Sequence, residues 1–357
     1  MLKSLKIESF RCFQSFELQQ LGKLNLLVGT NNSGKTSILE AVQLLTSPFN
    51  LESLREVMIG RGEYIFSEEG NISSRELDIR HLFYGHEINE GSRFSIVAGD
   101  DERRNGITVS VQHPEQLSLF EDLRAFVLGI EWLGQEDENI KLPLSSQEGL
   151  SLDYIRRFRR DSKNLAARTQ FITSSSLTTA KTIQLFEQIV LTPEEDFITE
   201  ALQTIEPSIE CIATISSEKY RTTGSRSGFV VRLSEGNQRI PIGSMGDGIW
   251  RILGLTLAIV NARNGILLVD EIDTGLHFSA MSDMWKLIWK TAKRLNVQVF
   301  ATTHSSDCWT SLAAIASNES PSEEGITIQR IEKGKPSSVV FTERQVVIAA
   351  EQGIEVR

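Results

Sequence analysis

The chain opens on alternation. Leu2–Ile7, Phe16–Leu18 and Leu24–Val28 put apolar side chains on one face of extended segments with turns between them, which predicts three short strands. The period changes at Gly34. Ile38, Leu39, Val42 and Leu45 recur at helical spacing and predict a helix from Gly34 to about Thr46. Residues 50–70 fit neither template. From Arg75 to Gln112 alternation returns in ELDIRHLF, SRFSIVAG and NGITVSVQ, broken by Gly and Asn, as in antiparallel hairpins. Residues 115–206 read as mainly helical, with loops at Gln135–Glu138 and Ser145–Gly149, and short strands follow from Ile209 to Arg232.

The last third alternates by element. A helix after Gly246 turns Trp250, Leu253, Leu257 and Val260 inward, a strand covers Ile266–Val269, and a long helix runs to Leu295. A strand at Val297–Ala301, a helix near Asp307–Ala316 and a strand pair at Ile326–Ile331 and Val339–Phe341 complete it. Such alternation predicts an α/β fold with parallel strands, interrupted by an insertion. The expected division is 1–114, an inserted helical lobe at 115–206, and 207–357.

Composition narrows the partners. At 357 residues, 40% hydrophobic and 24% charged, the chain can bury a large core, and it carries no repeat or Pro-rich linker. Acidic residues number 47 against 37 basic ones, a net charge of −10, which opposes non-specific coating of nucleic acid. A local basic patch stays open: Arg156, Arg157, Arg159 and Arg160 form either a solvated helix face or a contact with nucleic acid or a partner. The apolar-rich run Ile252–Val260 is far shorter than the roughly 20 residues of a membrane span. MLKSLKIESF lacks the apolar block of a signal peptide. Cys12, Cys211 and Cys308 form neither a disulfide framework nor a metal-ligand spacing, and Cys12 reads as a buried structural thiol. The expectation is a soluble, cytoplasmic protein with no membrane partner.

Three strand ends carry chemistry. Gly29-Thr-Asn-Asn-Ser-Gly34-Lys35-Thr36 follows the apolar strand LNLLV and opens a helix, the context in which G-x-x-x-x-G-K-[ST] is a phosphate-binding P-loop. Backbone N–H groups of Gly29, Asn31, Asn32, Ser33 and Gly34, with Ser37 in the first helical turn, would wrap a phosphate. Lys35 would neutralise the β- and γ-phosphates of ATP, and the Thr36 hydroxyl would ligate Mg²⁺. Ile266-Leu-Leu-Val-Asp270-Glu271 reads as a strand buried on both faces, with Asp270 placed to hold Mg²⁺ and Glu271 to polarise the attacking water. Gln298-Val-Phe-Ala-Thr-Thr-His304-Ser305 ends a third strand on His304, a γ-phosphate sensor. Ligands of open α/β sheets sit beyond the carboxyl ends of strands, so Gly29, Asp270 and His304 should share one crevice. Between the first two motifs, Ser244-Met-Gly246-Asp247 precedes a helix, where Ser244 is either an N-cap or part of a nucleotide motif.

With these motifs in this order, and with TGLH after the Asp-Glu pair, the chain resembles the ABC-type ATPase heads. It is most similar to the SMC/RecF/overcoming-lysogenisation-defect branch and the bacterial AAA ATPase proteins grouped with it. The opening KIESFRCF matches that branch's first strand. The likeness is good over residues 1–46 and 240–310 and architectural elsewhere. It implies a P-loop NTPase head with a mixed sheet, an antiparallel β subdomain and an inserted lobe. Ser244 and Gly246 would be the signature that meets the γ-phosphate bound by an opposite subunit. Gly275, Leu276 and His277 would form the D-loop at the dimer seam. Arg11 would be a nucleotide contact, or a surface residue paired with an acid. The signature departs from S-G-G-Q, and Gln112 and Gln147 are both candidates for the Q-loop. No sustained heptad repeat predicts a coiled-coil arm.

The functional expectation is Mg²⁺-dependent ATP hydrolysis by a homodimer that closes around two ATP molecules and moves the inserted lobe. A second reading is a regulatory scaffold whose ATP state gates a separately encoded effector, such as a nuclease in phage defence, and a third is a DNA-repair ATPase. A transporter subunit fits less well, since nothing marks a coupling contact. The nuclease itself is not expected: the stretch after His304 holds no Asp-x-Asp, and the histidines at 81, 86, 113, 277 and 304 are dispersed.

Overall fold

The structure, a computed structural model, describes residues 1–67, 74–99, 104–113, 126–133, 139–157, 169–215, 228–234, 236, 238–317 and 325–357. The chain divides into two compact units. The first comprises Met1–Leu21, Asn31–Ala167 and Ile331–Ser338, and the second Gly22–Thr30, Arg168–Arg330 and Val339–Arg357. Strands and helices are numbered along the whole chain.

The first unit is built on an antiparallel sheet of β1 (Ser4–Phe10), β2 (Phe13–Leu18), β6 (Arg93–Gly99), β7 (Arg104–Gln112), β8 (Val127–Trp132) and β9 (Ile140–Pro143), in the order β2-β1-β6-β7-β8-β9. Alternation sets its register: Ile7 stands opposite both Phe16 and Ile96, and all three are buried. Phe10, Phe83 and Phe94 close the core, with Phe94 centred 5.1 Å from Phe10 and 5.3 Å from Phe83. Helix α1 (Lys35–Leu45) packs on β6 and β7. Residues 50–70, ambiguous by pattern, form α2 (Leu51–Gly60), capped by Asn50, and β4 (Tyr64–Ser67). Strand β4 joins β5 (Ser74–Asp78) and β10 (Gly149–Ser151) in a small antiparallel sheet, and α3 (Leu152–Arg157) follows β10.

The second unit carries the parallel sheet. Its order is β11 (Thr169–Ile172), β15 (Ile266–Val269), β16 (Gln298–Thr302), β3 (Leu24–Val28), β17 (Ile326–Arg330) and β18 (Val339–Thr342), parallel except for β18. Strands β3, β15 and β16 are buried at every position, which explains their mostly apolar sequences. They are covered by α6 (Asp247–Asn261), α7 (Phe278–Leu295) and α8 (Ser306–Ala316), around a core centred on Trp285, whose indole donates to the Cys308 carbonyl at 2.9 Å. Helices α4 (Thr179–Glu187) and α5 (Asp196–Gln203), the antiparallel strands β12 (Ile209–Thr214), β13 (Phe229–Leu233) and β14 (Arg239–Pro241), and the terminal α9 (Glu343–Glu351) complete the unit.

The helical reading of 115–206 needs correction. Its described residues hold four strands, β8 to β11, beside the short helices α3 to α5. Runs of three to six residues are too short for periodicity to separate strand from helix, and partners distant in sequence decide. The loop expected at Gln135–Glu138 lies outside the described residues, as do Arg159 and Arg160 of the basic stretch.

Candidate functional site

The phosphate loop leaves β3 at Gly29 and enters α1 at Lys35. Three of its residues take left-handed backbone: Gly29 at φ 142°, Asn32 at 59° and Gly34 at 98°. Gly34 is required twice over, because a Cβ there would stand 2.3 Å from Phe13 Cζ and 2.8 Å from Cys12 Sγ. Gly34 also caps α1, so no side chain closes that helix N-terminus. Lys35, Ser33 and Ser37 are buried, and the Ser33 hydroxyl has no hydrogen-bond partner. A cavity of about 790 Å³ opens beside the loop, lined by Phe13, Asn32, Ser33, Tyr84, Arg93 and Lys333 among others. Cys12 also lines it and reaches solvent, so it is not the buried thiol expected; a cysteine in a sheet turn beside a cavity has no core to enter.

Arg11 is buried rather than on the surface. Its Nη1 and Nη2 donate to the Glu63 carboxylate at 2.6 and 3.0 Å, and its Nε lies 2.6 Å from Glu40 of α1. Glu40 also binds Arg61 Nε at 2.6 Å. Burial pushes the Glu40 carboxyl above its usual range, against the pull of Arg11 and Arg61. The guanidinium is thus paired with two carboxylates.

In the second unit, parallel pairing of β15, β16 and β3 carries Asp270, His304 and the start of the phosphate loop at Gly29 to one edge of the sheet. The Asp270 carboxylate accepts from the Thr302 hydroxyl at 2.6 Å, and that hydroxyl accepts the Glu271 amide at 2.8 Å. Glu271 sits at φ 46°, an uncommon conformation for a non-glycine residue. Its Oε2 accepts from Thr274 Oγ1 at 3.2 Å. One residue beyond Thr302, the Thr303 hydroxyl donates to Asp273 at 2.6 Å. His304 is exposed, and its carbonyl accepts from Arg357 at 2.6 Å.

The signature segment directly precedes α6, as expected. Ser244 lies in a 3₁₀ turn, Ile242–Met245, and its hydroxyl donates back to the Pro241 carbonyl at 2.7 Å. The N-cap of α6 is Gly246, at φ 95°, with open space where a Cβ would stand. Ser244 is therefore not the N-cap, because the turn reverses the chain two residues before helical geometry begins. Gly275, at φ 79°, would bring a Cβ to 3.6 Å from that of Asp247, so the loop after β15 lies against the start of α6. Leu276 follows it, and His277 caps α7 by accepting the Ser279 amide at 3.4 Å. Of the Q-loop candidates, Gln112 ends β7 and donates to Ser110, and Gln147 lies in the turn before β10; neither is in the unit that holds Asp270.

Sequence reading missed Arg251, Thr302 and Thr303. Arg251 had a visible signal: a cation on the apolar face of a helix otherwise made of Ile, Trp, Leu and Val.

The family model described as "AAA domain, putative AbiEii toxin, Type IV TA system" matches residues 24–307. A Helicobacter pylori protein named ATP/GTP phosphatase is 23% identical over 335 residues, 86% of each chain. The DNA replication and repair protein RecF of Clostridioides difficile is 33% identical over 137 residues, 35% of this chain and 36% of RecF. The crystal structure of an Smc head bound to the C-winged helix domain of ScpA superposes with a TM-score of 0.53 at 12% identity, covering 96% of this chain and 97% of that one. At that identity the likeness speaks for the fold, which is that of a P-loop ATPase head. With motifs, fold and relatives agreeing, the chain belongs to the AAA-domain family so described, and it is an ATPase.

Proposed function

We propose that the chain binds Mg²⁺·ATP and hydrolyses it at two composite sites of a homodimer. The observation that carries this reading is the common sheet edge at which Gly29, Asp270, Glu271 and His304 end their strands. Lys35 and the loop amides hold the β- and γ-phosphates, and the cavity beside Asn32 and Ser33 receives the nucleoside end. Glu271 takes a proton from the attacking water, and His304 senses the γ-phosphate. The Thr36 hydroxyl and the Asp270 carboxylate are hard oxygen donors and suit Mg²⁺, which would neutralise charge on the phosphates. The Asp270 carboxylate is held in place by the Thr302 hydroxyl.

The exposed Gly246 at the start of α6 offers a second anion-binding terminus, and it acts on the nucleotide of the partner copy. Gly275 and His277 lie at the seam between copies. The output is movement of residues 115–206 and engagement of a separately encoded effector, such as a nuclease, or of DNA. Pull-down and salt-dependent DNA titration separate these two.

Light scattering of Glu271→Gln with and without Mg²⁺·ATP tests the dimer. A shift from monomer to dimer only with nucleotide is expected, and a mass indifferent to ATP would overturn the composite site. Turnover in the same variant should fall about 10²- to 10⁴-fold; wild-type turnover would remove Glu271 as the base.

A further inference from the structure

Arg251 sits on α6, 2% exposed, among Ile, Leu and Trp side chains. Its Nη1 donates to the Thr173 carbonyl and the Ser176 hydroxyl, both at 3.0 Å. Its Nη2 donates to the carbonyls of Asp270 at 3.0 Å and Glu271 at 2.7 Å. Burial lowers its pKa to about 10, against the pull of Asp273, Asp270 and Glu271, so it stays charged at neutral pH. A buried cation of this kind persists only where its donors are well used.

The four acceptors belong to two segments. Thr173–Ser176 follows β11, the edge strand beside β15, and the Asp270 amide donates to Ile172 of that strand at 2.8 Å. Asp270 and Glu271 form the turn after β15, in which Glu271 is left-handed. From the other side, Thr302 holds the Glu271 amide and the Asp270 carboxylate. The carbonyls of the turn have Arg251 as their shared donor.

We propose that Arg251 is a positioning residue for ATP hydrolysis: by gripping both carbonyls of the Asp270–Glu271 turn it fixes the Glu271 carboxylate where the attacking water must be. The planar guanidinium reaches two acceptors on each terminal nitrogen, a geometry lysine lacks. Arg251 lies just over one helical turn from Gly246, so displacement of the start of α6 is passed to Glu271 through a single side chain. This inference rests on Glu271 being the base.

The test compares Arg251→Lys, Arg251→Gln and Glu271→Gln with the wild-type chain, reading kcat, KM, nucleotide affinity, thermal midpoint and hydrogen exchange at the amides of residues 271–274. Those amides include Glu271 to Thr302 Oγ1, Ile272 to the Thr302 carbonyl and Thr274 to the Glu271 carbonyl. Arg251→Lys should fold, bind nucleotide within about twofold of wild type, lose tenfold or more in kcat and exchange faster at 271–274. Wild-type kcat in folded Arg251→Lys would overturn the inference, as would a loss of kcat that follows only the folded fraction with exchange unchanged. Should Arg251→Lys and Arg251→Gln fail to fold, Ser176→Ala removes one acceptor at unchanged charge; faster exchange with lowered kcat supports the clamp, and unchanged values overturn it. Glu271→Gln separates the two readings. If it turns over normally the base assignment falls, whereas an inactive Glu271→Gln beside a fully active Arg251→Lys removes the clamp alone.

Discussion

The Thr302 hydroxyl donates to the Asp270 carboxylate at 2.6 Å while accepting the Glu271 amide at 2.8 Å, so one side chain on β16 organises both acids at the end of β15. Thr302→Val removes both contacts without changing shape. It should raise the Mg²⁺ concentration needed for half-maximal turnover and lower kcat, about tenfold in combination. Stability should fall by only about 1 kcal/mol. Thr302→Ser should restore both kinetic values. A metal titration of turnover for the three proteins checks this, and a wild-type Mg²⁺ requirement in Thr302→Val would contradict it.

Gly34→Ala places a methyl group 2.3 Å from Phe13 Cζ on a backbone at φ 98°. The overlap should cost about 1–3 kcal/mol and the left-handed backbone about 1 kcal/mol more. Nucleotide binding should be lost even in the folded fraction, because the loop amides rotate with the residue. Phe13→Leu in the same chain should recover part of the stability and none of the binding. Urea unfolding and fluorescent-nucleotide binding would show a different result if overlap alone mattered.

Arg11 and Arg61 both bind Glu40, but Arg11 is buried and Arg61 is about one-third exposed. Arg11→Met strands Glu40 and Glu63 together and should cost about 3–5 kcal/mol. Arg61→Ala should cost about 1 kcal/mol or less. Chemical denaturation separates the two; equal losses would mean that the buried cluster does not support α1.

Asp78 accepts both Arg80 nitrogens at 2.8 Å, and that hydrogen-bonded pair holds its carboxyl below the usual carboxylate range. The unfolded chain therefore binds a proton at higher pH than the folded one. Stability from this pair is complete above the unfolded carboxyl value and is lost as pH falls through the lower folded value. Asp78→Asn should be less stable at pH 7 by about 0.5–1 kcal/mol, since Arg80 is largely in water. The difference should shrink as pH falls below the usual carboxylate range. A constant difference across pH would locate the effect in packing instead.

The chemistry was legible where backbone geometry restricts the residue. Gly29 and Gly34 are needed for left-handed turns, and β3, β15 and β16 are mostly apolar because both faces are covered. The middle was not legible. Strand β11 is four residues long and owes its place beside β15 to pairing with residues nearly a hundred positions away, which no local period records. The start of α6 after Gly246 was legible, but the cap alternative for Ser244 was not met, because its hydroxyl turns back to the Pro241 carbonyl and Gly246 takes the cap position. Arg11 was left between two roles, and only the fold brings Glu40 and Glu63 to it.

Both neighbours of strand β3 in the sheet lie far along the chain from it: Leu24 pairs with Val299 and with Ile326. Asn25 donates to the Val299 carbonyl, 274 residues away, and accepts from Thr327, 302 residues away. Closing loops of that length comes late in folding, and a nascent chain that stops short of β16 has nothing for β3 to pair with. The phosphate loop is therefore assembled late. Nucleotide capture during synthesis reports that β16 and β17 have arrived, and a chain still lacking them cannot compete for ATP.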